Sequence, residues 1–305
     1  MSGRIVTLCS KPHSELDIRH LADLALRKAG ALGRLPTPID DLIAAADLRT
    51  EADPQALQEQ FLASLAESVR DSWQALFQKI RGIADLRERV VYVPASKPPR
   101  MLFVKGHELG HQVMPWQQLN SVYQDDDSSL SPETQELFEI EANYFSAEVI
   151  FQGDGFRTQA LDYHPSFAAV FSLADDHGAS KHATLRRFVE VHDEILAAVP
   201  YWPSQYVLDQ QGLPVLRLGK VIASNRFETK HPDLHLSETL NSEHPWAKAR
   251  DSADVAEGEI ILSCGPSSNR FQWQAWWNGY CLLVLLRRPP ALSLVGRIIS
   301  DRVSS

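Results

Sequence analysis

Cysteine is scarce. Cys9, Cys264 and Cys281 are spread over 305 residues. Their odd number and wide spacing exclude a disulfide framework and a cysteine zinc knuckle, leaving small buried thiols as the expectation. Long apolar runs are missing too. The longest, Tyr280 to Leu286, falls far below the roughly 20 residues of a bilayer-spanning helix. Residues 1–10 hold no apolar core of signal-peptide length. A soluble, cytoplasmic protein with no membrane partner is the expectation. Positive charge is in deficit, with 30 Lys and Arg against 39 Asp and Glu, a net charge of −9. A direct nucleic-acid surface needs a basic face, so that class is disfavoured. What the chain does have is 44% hydrophobic residues, enough for real cores. Its length suits two domains.

The most informative stretch is Lys105-Gly106-His107-Glu108-Leu109-Gly110-His111-Gln112. It contains H-E-x-x-H. On a helix, positions i and i+4 share one face, so His107 and His111 can aim both imidazoles at one ion. Zinc accepts neutral imidazole and keeps a position for water in catalytic sites. Glu108 follows the first ligand and can take a proton from that water as general base. The flanking Met101-Leu102-Phe103-Val104 and Val113-Met114 make the helix apolar. Two histidines and a glutamate on a buried helix are costly without such a purpose.

A third ligand is available downstream. Ser131-Pro132 is a good helix start, and Glu139 and Glu141 compete on the helix that follows. At 100° per residue, Glu139 shares a face with Ala142, Asn143, Ser146 and Ile150, whose small members let a second helix approach. Glu141 lines up with Glu148 on the opposite side, as a solvated stripe would. Glu139 is therefore the expected ligand and Glu141 an expected surface residue.

The run from Arg100 to His111, followed by Glu139-Ile-Glu-Ala-Asn-Tyr-Phe-Ser-Ala-Glu-Val149, resembles the ImmA/IrrE family of metallo-endopeptidases. That family pairs H-E-L-G-H with E-x-x-A-N-x-F-A-A-E-L-L. The resemblance implies Zn2+ held by His107, His111 and Glu139, with Glu108 as the base. It spans roughly residues 15 to 195. Two departures stand out. The second helix ends Val149-Ile150-Phe151-Gln152-Gly153 instead of Leu-Leu-Met-Pro, at a place the resemblance assigns to the cleft wall. A long helical stretch also precedes the motif.

Elsewhere, helices are expected over residues 15–29 and 39–46. They are a lead-in of the kind the family has, and no basic recognition helix follows to make them a DNA-binding pair. The 3–4 spacing of apolar residues predicts a helical region over about 54–87. Residues 89–94 read as a strand, placed to pair with extended substrate. Residues 115–131 read as a polar loop, and Asp125 to Asp127 as solvated. Tyr163 and His164 are open alternatives for stabilising an oxyanion. From Pro200 the periodicity turns to strands, near 215–222, 259–264, 271–277, 280–287 and 292–299. Asn278-Gly279 suggests a two-residue type I′ turn. Trp273, Trp276, Trp277 and Tyr280 suit either a ligand pocket or the core of a small sheet. His231, His235 and His244 read as ordinary loop residues.

The fold class expected is α+β. A mainly helical, zincin-like metallopeptidase domain with a small sheet occupies residues 1–199, and a mostly β sensory or recognition domain occupies 200–305. The resemblance implies a protein substrate, such as a helix-turn-helix repressor or antitoxin in a stress, phage or toxin–antitoxin response. The alternative is a non-catalytic regulator that keeps its zinc for structure and acts by partner binding. The intact Glu108 speaks against that alternative.

Overall fold

The computed structural model describes residues 4–5, 14–51, 83–85, 90–92, 98–122 and 132–289. The expected stripe over 54–80, the aspartates 125–127 and the strand 292–299 lie outside these residues. The chain divides into two compact units. The first holds Ser10–Asp162 and Phe171–Thr184, and the second Met1–Cys9, Tyr163–Val170 and Leu185–Ser305. The expected boundary at 199/200 falls inside strand Leu196–Leu208.

In the first unit, helix α1 is Glu15–Lys28 and α2 is Ile39–Ala45. α1 has Glu15 and Asp17 in its first turn and Arg27 and Lys28 in its last, as the helix dipole favours. Ile18, Ala22 and Leu26, four apart, form its buried stripe. Burying each of the two larger side chains contributes about 1.5–3 kcal/mol. Gly30, at φ +60°, follows the helix and lets the chain turn away. Strands β2 (Arg49–Glu51), β3 (Ile83–Asp85) and β4 (Val90–Tyr92) form a small sheet in the order β2-β4-β3. Two expectations are corrected here. Residues 83–85 are strand, not the end of a helix, because they pair antiparallel with β4, Ala84 opposite Val91. β4 is the central strand and both its sides are taken, so it is not an edge open to substrate.

Helix α3 (Pro98–Val113) carries the motif. It stops where Pro115 removes a backbone donor, and α4 (Pro115–Val122) starts there. The expected loop over 115–131 is thus helical in its first part. The long helix α5 (Pro132–Phe151) packs along α3 and, on another side, against α1. Glycine makes the α3–α5 approach possible. A Cβ on Gly106 would lie 2.6 Å from Ser146 Oγ, and one on Gly110 would lie 3.3 Å from the Ala142 Cα. Ser146 itself donates to the Phe103 carbonyl at 2.8 Å. Helices α6 (Asp154–Leu161), α7 (Phe167–His177) and α8 (Lys181–Val191) follow.

The end of α5 departs from the expected role. Val149, Ile150 and Phe151 are buried, and Phe151 packs on Phe156 and His177. Gln152 sits at φ +52°, an unfavourable region for a residue with a Cβ. Its amide ties down the loop between α1 and α2. Oε1 accepts from Gly33 N at 2.7 Å, and Nε2 donates to Ala31 O, Arg34 O and Thr37 Oγ1. This segment is a structural staple. At about 1 kcal/mol per bond, Gln152→Ala is expected to lose about 2–4 kcal/mol in denaturant unfolding. Gln152→Gly should lose less, since it relieves the backbone. An equal loss in both would mean the backbone conformation carries no cost.

Among the described residues, the second unit is built on a seven-stranded antiparallel sheet. Its strands are β5 (Leu196–Leu208), β6 (Pro214–Leu218), β7 (Ile222–Ala223), β9 (Thr239–Leu240), β10 (Ala256–Cys264), β11 (Ser267–Trp277) and β12 (Leu282–Arg287). They run in the order β10-β11-β12-β5-β6-β9, with β7 also on β5. Strands β1 (Arg4–Ile5) and β8 (His235–Leu236) form a separate pair. Helix α9 is Asn225–Lys230. β11 alternates as expected, with Phe271, Trp273 and Ala275 buried. Trp273 belongs to the core with Tyr201, Trp246 and Phe227. A Cβ on the facing Gly258 would meet the Trp273 ring at 2.9 Å, so the ring lies over that glycine. The core reading therefore holds for Trp273. Trp276 packs on Phe167, Trp277 lies under Arg250, and Tyr280 is exposed. The type I′ turn is corrected. Only Gly279 has positive φ, and Asn278 Oδ1 accepts from the Tyr280 and Cys281 amides. The tight turn is centred on Gly279-Tyr280, with glycine first, as in the II′ pattern. Cys264 and Cys281 are buried free thiols.

His231 is not an ordinary loop residue. It is buried, edge-on to Phe227 and Phe271, with neither ring nitrogen hydrogen-bonded. Burial, foremost, holds His192, His231 and His244 below their ordinary pKa of 6.5. Unfolding restores that value, so below it the unfolded chain takes up protons that the folded unit refuses. Stability is therefore complete above about pH 6.5 and lost as pH falls toward the folded values. The Tm is expected to drop between about pH 7.5 and 5.5, and to drop less in His231→Phe. A Tm with the same pH dependence in both would sink this account.

Candidate metal centre

The four-residue spacing of His107 and His111 on α3 gives what helix geometry dictates. Their rings sit edge to face with centroids 4.7 Å apart, and their Nε2 atoms face each other at 3.1 Å. α5 brings Glu139 to the same place, Oε2 3.4 Å from His107 Nε2 and Oε1 3.5 Å from His111 Nε2. Among the described residues, these three form a group whose ligand atoms lie within 4.8 Å of one another. Glu139 is 60% exposed at its side chain, so the group opens to solvent.

The ring hydrogens can be assigned from the partners. His107 Nδ1 lies 3.1 Å from Asn143 Oδ1, and His111 Nδ1 lies 2.7 Å from Gln117 Oε1. Carbonyl oxygens only accept, so both Nδ1 atoms donate. Both Nε2 atoms then present lone pairs to each other. Two lone pairs at that distance repel, unless a proton or a cation lies between them. Tetrahedral zinc with bonds near 2.0–2.1 Å would set its ligands about 3.3 Å apart. The observed separations of 3.1 to 3.5 Å fit that arrangement.

The electrostatics favour positive charge at the same point. Burial works against a charged His111, but the Glu139 hydrogen bond, the Glu108 charge and Gln117 raise its pKa. The hydrogen bonds that His107 and His111 donate from Nε2 when charged hold Glu139 well below the usual carboxylate range. Glu108 is buried, and desolvation pushes its pKa up against the opposing influence of the two histidines. A carboxyl with a raised pKa is a stronger base.

The residues expected to form the site, His107, Glu108, His111 and Glu139, are thus brought together. Glu141 is corrected: it is only 4% exposed, as is Glu148. The expected solvated stripe is an interior one, because α1 and α4 cover that side of α5. Tyr163 and His164 belong to the second compact unit, where His164 bonds to Arg287. Sequence reasoning missed Gln117 and Asn143 as holders of the two histidines. Asn143 had a signal, since it lies four residues after Glu139 on the same face. Gln117 had one in Pro115, which opens its helix.

Two antiparallel-packed helices, H-E-x-x-H on one and a glutamate on the other, make a candidate metal site. In agreement, residues 68–189 match the family model of the IrrE N-terminal-like domain, Peptidase_M78. Among solved structures, a Mycobacterium tuberculosis transcriptional regulator has a similar fold. Its TM-score is 0.53 at 14% identity, over 89% of this chain and 75% of that one. No curated protein matches the sequence. Among the described residues, no helix is long and apolar enough to cross a membrane.

Proposed function

We propose that the protein is a zinc-dependent endopeptidase with a zincin-like catalytic unit. The observation that carries this reading is the convergence of His107 Nε2, His111 Nε2 and a Glu139 carboxylate beside the buried Glu108. Zinc, when bound, supplies a Lewis acid and a water of lowered pKa. The chain's own residues do the rest. His107, His111 and Glu139 hold the ion, and Asn143 and Gln117 orient the two rings. Glu108 takes the proton of the attacking water and passes it to the leaving amide nitrogen. A role in structure alone has no use for such a base.

The substrate is a protein, and the family match supports a regulatory one, such as a helix-turn-helix repressor or antitoxin. An extended segment fits the edge of β3, which lies against α3 and, among the described residues, pairs on one side only. The metal ligands and Glu108 all lie in the first unit. The β unit is free of the chemistry, and we assign it recognition or control. The test is hydrolysis of a casein-like or repressor substrate by the zinc-loaded wild type and by Glu108→Gln. A wild type that binds zinc but cuts neither substrate, under conditions where both are unfolded or bound, would favour the partner-binding regulator.

A further inference from the structure

Glu141 is a buried carboxylate that the metal site leaves unused. It accepts three hydrogen bonds, from Ser14 Oγ at 2.6 Å, Trp116 Nε1 at 2.7 Å and Gln117 Nε2 at 2.9 Å. One of these donors differs from the others. Gln117 has an amide with a donating and an accepting end, and its accepting end faces His111 Nδ1 at 2.7 Å. The two ends are therefore coupled.

A carboxylate only accepts, so the amide nitrogen of Gln117 must turn toward Glu141. The amide oxygen must then turn toward His111. That oxygen also only accepts, so the ring hydrogen of His111 must sit on Nδ1. Nε2 is left with its lone pair on the side of Glu139. With the amide reversed, its N–H group would face Nδ1. The ring hydrogen would then move to Nε2 and block the ligand atom. Gln117 Nε2 also lies 3.4 Å from the Phe138 carbonyl, which favours the same orientation. We propose that Glu141 is a positioning residue of the metal centre. It fixes the Gln117 amide, and through it the metal-binding tautomer of His111. The inference rests on the reading of His107, His111 and Glu139 as a metal site.

Glu141→Gln tests it. A glutamine there offers both a donor and an acceptor, so Gln117 can meet it in either orientation. Zinc affinity of the full chain is measured by competition with a chromophoric chelator. Glu141→Gln is expected to lose about tenfold or more, in the range usual for groups behind metal ligands. Gln117→Ala should lose a similar amount, and the double variant no more than Gln117→Ala alone. Ser14→Ala removes another donor from the same carboxylate and should stay within about twofold of wild type, because it leaves the Gln117 amide in place. Wild-type affinity in Glu141→Gln, or additive losses in the double variant, would overturn the proposal. A wild type that binds no zinc would overturn the metal reading instead. One measurement needs no variant and so does not depend on folding: nitrogen NMR of metal-free His111, above its titration range. The Nδ1–H tautomer is expected, and a dominant Nε2–H tautomer would refute the positioning role.

Discussion

Replacing Glu108 by Gln is expected to leave zinc binding intact and to cut peptide hydrolysis by about a hundredfold or more. The two side chains have nearly the same shape, so the buried position between α3 and its neighbours stays filled. The proposed ligands His107, His111 and Glu139 are untouched. What disappears is the ability to take a proton. The glutamate is suited to that task, because burial raises its pKa while the two histidines keep the rise in check. An amide in its place cannot act as a base at any pH. The variant should also bind a protein substrate without cutting it, so a stable complex seen by gel filtration is part of the expectation. Activity within about tenfold of wild type, at equal zinc content, would show that another group is the base.

The convergence of the candidate site was legible in the sequence because helix geometry is local. Four-residue spacing alone sets His107 and His111 side by side. The same 100° rule put Glu139 on the face of Ala142, Asn143 and Ser146, and that is the face Gly106 and Gly110 approach. What periodicity cannot tell is how many faces of a helix are covered. α5 is packed on several sides, by α3, α1 and α4. A glutamate pair such as Glu141 and Glu148 then looks solvated, although groups far off in sequence meet it: three donors reach Glu141, and Arg19 lies 3.7 Å from Glu148. Ser14 is 127 residues from Glu141 and Trp116 is 25. The strand at 83–85 was hidden for a related reason. Its partner, 90–92, decides its conformation, and pairing outweighs the preference of three residues. In the β unit, alternation located β11 and β12, while the exact turn between them depended on which residue carries positive φ. Gly279 does and Asn278 does not.

Glu139→Ala is expected to have the second large effect, on metal content. Three protein ligands share the ion in this reading, and Glu139 is the only anionic one. Removing it takes away a bond, and it also takes away the charge that offsets the cation between two neutral rings. The loss of zinc affinity should exceed the roughly 10–100-fold seen when groups behind the ligands are removed. It should therefore also exceed the loss in Glu141→Gln. The fold should not suffer, since the side chain is 60% exposed and fills no core. His111 supplies an independent readout. Its raised pKa owes much to the hydrogen bond that the charged ring donates to Glu139. In the metal-free variant that support is gone while burial still disfavours the charged ring, so the His111 pKa should fall. Metal analysis after buffered chelation, with the histidine signals followed by NMR, tests both. Zinc retained at wild-type affinity in Glu139→Ala would remove Glu139 from the ligand set, whatever its distance to the two rings.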